Sequence, residues 1–250
     1  MQNLHVRKAI TQAIDRCQLI EQAIQEKCNT LRMQGILPKP SPAFDPGITF
    51  LNFNLSRARQ DMQAAGWDCS SNPCTKDSQP FPTLTLATTT NNLVRTATAQ
   101  LIQQDLAALG IPVTLQFYPA ATLFGTILPI GQFDLSLYAN IFNLDPDNLS
   151  TISQSDQIPS QQNPGGVNFG RINDPQLDAL FAQGRTTLDQ SQRLRIYKQV
   201  QDLIADQIYF LPLYQFPDIT LTSAQIVNYA DDISEAGNAW NIGDWWLSSR

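Results

Sequence analysis

The chain has almost no histidine and no sustained apolar run. Of its 250 residues one is histidine and 15% are charged. A Ser-His-Asp or Cys-His catalytic arrangement would have to use His5, which opens an amphipathic stretch where a surface residue is expected. The longest apolar segments fall far short of the ~20 residues that a membrane-spanning helix needs. Cations are the minority: 16 Lys and Arg stand against 22 Asp and Glu, a net charge of −6 with pI ≈ 4.6. With no basic block, nucleic acid and anionic membrane surfaces are poor partners. Neither a Gly-x-Gly-x-x-Gly run nor a Walker loop is present, and Gly165-Gly166 reads as a turn. No cofactor is expected.

The four cysteines lack a Cys-x-x-Cys pair, and with one histidine a zinc site is the weaker alternative to disulfides. Three pairings are open. Cys69 and Cys74 flank Ser-Ser-Asn-Pro, a turn-forming stretch that can bring their α-carbons within ~7 Å. Cys17 and Cys28 would stand roughly 16 Å apart on one helix, at ~1.5 Å rise per residue. They can pair only if the helix ends near Ile24 and the chain turns back. Disulfides fit the oxidising exterior of a cell.

What is present is α/β patterning. Val6, Ala9, Ile10, Ala13, Ile14 and Cys17 follow the spacing of one helical face, and Asp15 is placed to cap a second helix. The prolines from Leu37 to Pro46 mark a loop. Ser56 to Ala65 reads as a helix with a serine cap and Gly66 past its end. Thr83–Thr88 alternates as a strand. Asn91 or Asn92 then caps a long helix ended by Gly110, and Val113, Leu115 and Phe117 alternate in a second strand, parallel to the first. A short helix near Leu123–Leu128 leads to a third strand, Phe133–Tyr138. From Asn140 to Gly170 the chain has turn residues and no period, so that segment is expected to be functional or to hold short helices. Asp174-Pro175 and Asp189 open two further helices. Ile208–Tyr214 reads as a buried strand, and Ile219–Leu247 as short strands.

In open α/β sheets ligands sit beyond the carboxyl ends of the strands. Two such ends are legible: Thr88-Thr-Thr-Asn91, before the long helix, and Tyr138-Ala-Asn-Ile-Phe-Asn143, which offers aromatic faces and side-chain amides. Tyr138, Asn140, Phe142 and Asn143 are the candidate ligand wall, with Thr89 and Asn91 behind them. Each has a plain alternative as capping, turn or core residue. Most carboxylates read structurally: Asp15, Asp174 and Asp189 as caps, Asp61, Asp178 and Asp202 on polar helix faces.

The order of segments carries more than any one motif. His5-Val-Arg-Lys-Ala-Ile-Thr-Gln-Ala-Ile-Asp-Arg16 is followed by Leu55-Ser-Arg-Ala-Arg-Gln-Asp-Met-Gln-Ala-Ala-Gly-Trp67. Then come Asn173-Asp-Pro-Gln-Leu-Asp-Ala-Leu180, Gln199-Val-Gln-Asp-Leu-Ile-Ala-Asp206 and Leu211-Pro-Leu-Tyr214. In this order they resemble the second half of the ABC-importer solute receptors of the dipeptide/oligopeptide-binding family (family 5). The match runs from about Val6 to Tyr214, with a weaker tail to Trp246. The resemblance implies a periplasmic-binding-protein-like (type II) α/β lobe, a mixed β-sheet flanked by helices. Residues 1–215 would form the second lobe, and 216–250 a tail that normally returns to a first lobe absent here. It implies a non-enzymatic receptor that binds a peptide-like or other small polar solute between two lobes and presents it to membrane permease subunits. The location would be extracytoplasmic, as a lipoprotein. Because the chain opens on a charged amphipathic helix and not on a signal peptide, Met1 is expected to fall inside a longer gene. In the family, an aspartate four residues before the proline of an acidic-Pro pair holds the peptide's amino group. Here that pair is Asp145-Pro146 and the position is Phe142, so the carboxylate anchor is missing, with Asp145 as an alternative. A ligand-sensing domain of a regulatory protein, with the same fold, is a second reading. A carboxylate hydrolase is a third.

Overall fold

The computed structural model describes residues 2–48, 50–141, 144–216, 219–231 and 237–248. Helix α1 (Leu4–Ala13) starts at Asn3, whose side-chain oxygen accepts from the His5 and Val6 amides. Its stripe of Val6, Ala9, Ile10 and Ala13 is buried. That face does not run on to Cys17. Asp15 is extended, and its carboxylate caps α2 (Arg16–Leu19) by accepting from Cys17 and Gln18. A π-turn, Ile20–Ile24, ends at Gln25 in the left-handed region (φ 65°), and α3 (Cys28–Leu31) follows. The reversal sets the Cys17 and Cys28 α-carbons 4.7 Å apart with the sulfurs at bonding distance.

Helix α4 (Leu55–Ala64) is capped by Asn54 and not by Ser56, which lies inside the helix. Asn54 is extended and its Oδ1 accepts from the Arg57 amide at 2.9 Å, so the amide side chain reaches the third helical N–H before the serine can. Gly66 (φ 84°) closes the helix. Cys69 and Cys74 lie at bonding distance, with α-carbons 4.2 Å apart. Beside them is a two-stranded antiparallel ribbon, β1 (Thr75–Lys76) and β2 (Gln79–Pro80).

The main sheet has three parallel strands: β3 (Leu84–Thr89) in the centre, β4 (Val113–Tyr118) on one side and β5 (Leu135–Leu137) on the other. Between β3 and β4 runs α5 (Leu93–Leu109), capped by Asn92 and ended by Gly110 in the left-handed conformation. Leu84 and Leu86 face the larger core, with α1, α4 and α5. Ala87 faces a smaller core formed by the π-turn Leu123–Ile127, which follows α6 (Ala120–Thr122), and by α7 (Leu128–Ile130), together with Phe169. The sheet is thus covered on both faces, as parallel sheets require. Phe117, expected to point inward, is 37% exposed because β4 is an edge strand.

Beyond the sheet, α8 (Asn148–Ser153), α9 (Pro175–Thr186) and α10 (Gln190–Gln207) make a separate core around Leu177, Phe181, Tyr197, Val200 and Ile204. Asp174 and Asp189 cap α9 and α10. Ile208–Tyr214 is not a strand. Ile208 closes α10 in the left-handed region, Pro212 has no N–H to give, and one bridge, Arg32 to Tyr214, is all the ladder formed. In the tail, β6 (Ile226–Val227) pairs antiparallel with β7 (Trp246–Leu247).

The junction of α1 and α5 gives a stability test. Asp105 on α5 accepts the Asp15 amide at 2.9 Å. Burial raises its pKa against that bond, with the Asp15 charge adding to the rise. A carboxyl whose folded pKa is raised weakens the fold once ionised, so its penalty is present at neutral pH and absent below the ordinary carboxylate range. Asp105→Asn keeps an acceptor for the Asp15 amide. It is expected to melt higher than the parent at pH 7 and equal to it toward pH 3. A lower melting temperature at pH 7 would contradict this account.

Candidate functional site

The parallel sheet places the ends of β3, β4 and β5 on one edge, at Thr89, Tyr118 and Leu137. Two of the expected wall segments therefore meet there: Thr89 and Asn91 from β3, Tyr138 and Asn140 from β5. Phe142 and Asn143 lie outside the described residues. The edge is knitted across its strands. Thr90 N–H donates to the Tyr118 carbonyl at 2.8 Å, and the buried Thr88 hydroxyl donates to the Leu137 carbonyl at 2.7 Å.

On the β5 side the surface is aromatic. Tyr138 packs edge-on to Phe124, ring centroids 5.5 Å apart, and against Phe169 at 6.4 Å. Burial pushes the Tyr138 phenol up, with the Asn140 side chain acting the other way, so it is a neutral donor at physiological pH. Asn140 and Ile141 are exposed beyond it. The next segment is pinned from the far side. Arg193 Nη2 meets Asp145 at 2.6 Å, while Arg185 Nε and the Tyr197 hydroxyl meet the two oxygens of Asp147 at 3.0 and 2.8 Å. Desolvation opposes ionisation of Asp145, but the Asp147 amide and Arg193 outweigh it and hold its pKa low. Asp145 is thus paired with α10.

On the β3 side the structure chooses between the two expected caps. Asn92, not Asn91, caps α5, and Asn91 takes a positive φ of 61°, which asparagine tolerates. Thr89 is buried, and its hydroxyl accepts from the Arg95 guanidinium. At the edge it holds the half-buried Arg95. Thr98, one turn on, shares a 2.9 Å hydrogen bond with the Tyr214 hydroxyl. The Arg95–Thr89 and Thr98–Tyr214 bonds are not among the sequence expectations. For Arg95 there was a signal: it is one of two charged residues in the 17 of α5, three positions after the cap. For Tyr214 there was none, since its partner lies 116 positions away.

His5 is the second residue of α1, exposed, its Nδ1 2.8 Å from Asp61. Among the described residues no group of three or more His, Cys, Asp or Glu could hold a metal, and no helix is long and apolar enough to cross a membrane.

Comparison with known proteins agrees with this architecture. Residues 1–160 match the bacterial extracellular solute-binding proteins, family 5 (middle region). The chain belongs to that family. Family 5 proteins are transport components without enzymatic activity. Among curated relatives, the oligopeptide-binding protein OppA of Mycobacterium tuberculosis is 27% identical over 181 residues, 71% of this chain and 28% of its own. The oligopeptide-binding protein AppA of Bacillus subtilis is 24% identical over 246 residues, 97% of this chain and 44% of its own. The structure of AppA with a nonapeptide superposes with a TM-score of 0.78 over 98% of this chain and 48% of AppA. The oligopeptide-binding protein of Thermus thermophilus with a pentapeptide gives 0.81 at 22% identity, over 98% of this chain and 43% of that one. At such identities the likeness establishes the fold, a type II periplasmic-binding-protein-like α/β arrangement. The chain spans less than half the length of these relatives.

Proposed function

We propose that this family 5 chain is the solute-binding lobe of an ABC-importer receptor. Residues 1–215 form the second lobe, and 216–250 form a tail that packs on the first. A peptide-like or other small polar solute lies at the carboxyl edge of the sheet, against Tyr138, Asn140, Phe142 and Asn143, with Thr89 and Asn91 behind. Closure of the lobes presents the loaded form to membrane permease subunits. The protein works outside the cytoplasmic membrane, anchored as a lipoprotein. The observation that carries this reading is the convergence of three parallel strand ends on one edge that bears aromatic rings and amides. Exposed tail residues, Trp240 and Trp246 at 55% and Leu221 at 93%, leave apolar surface for a first lobe to cover.

Phe142 narrows the solute. A phenylalanine gives no carboxylate to a buried ammonium, and an unpaired buried charge costs several kcal/mol. The test is a thermal-shift panel on the complete gene product, with the 250-residue chain beside it, using oligopeptides, oligosaccharides, opines and metal chelates. A solute at about 100 times its dissociation constant adds about 2.7 kcal/mol, a shift of several degrees at this size. One class shifting the complete product and not the chain supports a two-lobe cleft. Equal shifts in both would place the whole site in this chain and overturn the two-lobe assignment.

A further inference from the structure

The two disulfides sit in unlike surroundings. Cys74 is fully buried in the larger core, and Cys69 packs against that core. Their bond, between residues 5 positions apart, staples a stretch that the core already holds. Cys17 and Cys28 belong to none of the three cores. Their bond spans 11 positions and joins α2 to α3 across the π-turn.

On one side of that bond the anchoring is good without it. Leu19 of α2 belongs to the larger core, and Ala23 of the π-turn packs on it. On the other side it is poor. Helix α3 has four residues and no side-chain cap, and residues 25–27, which lead into it, are exposed. A single turn of helix does not hold itself in water, and no residue of α3 joins any of the cores. A cavity of about 20 Å³ lies at its end, with Thr30, Leu31, Phe44 and Gln215 in its lining. The covalent tie to Cys17 is therefore the main restraint on α3.

What α3 carries gives that restraint a consequence. The Gln215 amide donates to the Leu31 carbonyl at 2.8 Å, and Arg32 bridges Tyr214. Among the described residues this is the one backbone hydrogen bond that residues 211–216 make. Two side-chain ties hold the same segment independently of α3: Arg16 to the Pro212 carbonyl and Thr98 to the Tyr214 hydroxyl. Release of α3 would thus free Gln215, where the chain passes into residues 216–250, and leave 212–214 in place.

We propose that Cys17–Cys28 is a thiol-sensitive latch on Gln215, one that a dithiol opens while the sheet stays folded. Cys28 is 8% exposed and Cys17 is half-buried, so an incoming thiolate meets the Cys17 sulfur first. It forms a mixed disulfide there and expels Cys28 as a thiolate, which takes up a proton. The second sulfur of the dithiol then attacks the first, closes the reagent's own disulfide and releases Cys17, which is protonated in turn. Two electrons and two protons pass from the dithiol to the protein. With α3 loose, the Leu31 carbonyl no longer holds Gln215. The latch does not depend on the solute-binding reading.

The test exposes the complete gene product to dithiothreitol under native conditions. Free thiols are trapped by alkylation and located by mass spectrometry, and hydrogen exchange is followed on the same samples. Cys17 and Cys28 are expected to be trapped at least about tenfold faster than Cys69 and Cys74, because local opening suffices for the first pair. In that state exchange at residues 28–33 and at the Gln215 amide should rise by about tenfold or more, with β3, β4 and β5 unchanged. Cys17→Ser combined with Cys28→Ser should give the same pattern without reductant. Trapping of the two pairs at equal rates would overturn the proposal. So would reduction of Cys17–Cys28 with Gln215 still protected, or a double-serine protein that loses protection across the sheet.

Discussion

Replacing Arg16 by alanine is expected to destabilise the protein by about 3–5 kcal/mol and to lower its melting temperature by on the order of 10 °C. Arg16 is 5% exposed, and its ion is satisfied by carbonyls alone. Nη1 donates to Met33 and Pro212 at 3.1 Å each, and Nη2 to Leu51 at 3.3 Å. These carbonyls come from three segments far apart in sequence, so one side chain ties them together. Removing it leaves three acceptors without donors in a place water reaches poorly, and each such loss costs about 1–3 kcal/mol.

The charge itself works against the fold. Desolvation, and then the neighbouring charge of Arg32, lower the Arg16 pKa to about 10, which still leaves it ionised at neutral pH. The two contributions are separable. Arg16→Met keeps the aliphatic stem and removes both the ion and its donors. If hydrogen bonding to the carbonyls dominates, methionine loses most of what alanine loses. A melting temperature at or above the parent's for Arg16→Met would mean that desolvation dominates, and the account would fail. The consequence reaches Tyr214, because Pro212 lies two residues before it. Loss of Arg16 should therefore also speed hydrogen exchange at the amides of residues 213–216.

The elements that could be read from the sequence are those whose ends carry local chemistry. Asp15, Asp174, Asp189 and Gly110 each mark a helix terminus through their own side chain or backbone freedom, and each does so in the structure. Asn54 was passed over for Ser56 because two capping residues stand two positions apart and only tertiary placement chooses between them. The run Ile208–Tyr214 has a strand's composition but no neighbouring edge to pair with beyond Arg32. Composition describes the residues and not the partner, so that misreading was built in. The same division holds for the site. Connectivity alone places Thr89 and Asn91 on an edge, since a parallel crossover sets both strand ends at one end of the sheet, and β5 adds Tyr138 and Asn140 to it. The bond between Thr98 and Tyr214 is tertiary, spanning 116 positions, and no spacing rule reaches it.

Gly184→Val should destabilise the protein by roughly 2–3 kcal/mol, through overpacking, although valine is a better helix former than glycine. A β-carbon at Gly184 in α9 would stand 2.8 Å from Cε2, Cζ and the hydroxyl of Tyr197. A flexible side chain could yield, but this ring is fully buried. Arg193 lies 4.8 Å over its face, Phe181 packs against it at 6.4 Å, and its hydroxyl donates to Asp147 at 2.8 Å. Burial, and then Asp147, push its phenol up, so it stays a donor at every accessible pH. To admit valine the ring must shift, and the bond to Asp147 breaks with it. Asp147 leads into α8 and, with Asp145, anchors the segment that follows the candidate ligand wall. Gly184→Val is therefore expected to raise hydrogen exchange at residues 144–150 along with lowering the melting temperature. Tyr197→Phe removes only the hydroxyl, and should loosen the same residues with a smaller loss of stability. A Gly184→Val protein that melts lower while residues 144–150 stay protected would show that the helix pair α9–α10 absorbs the strain by itself, and that the ligand-side segment is held independently of Tyr197.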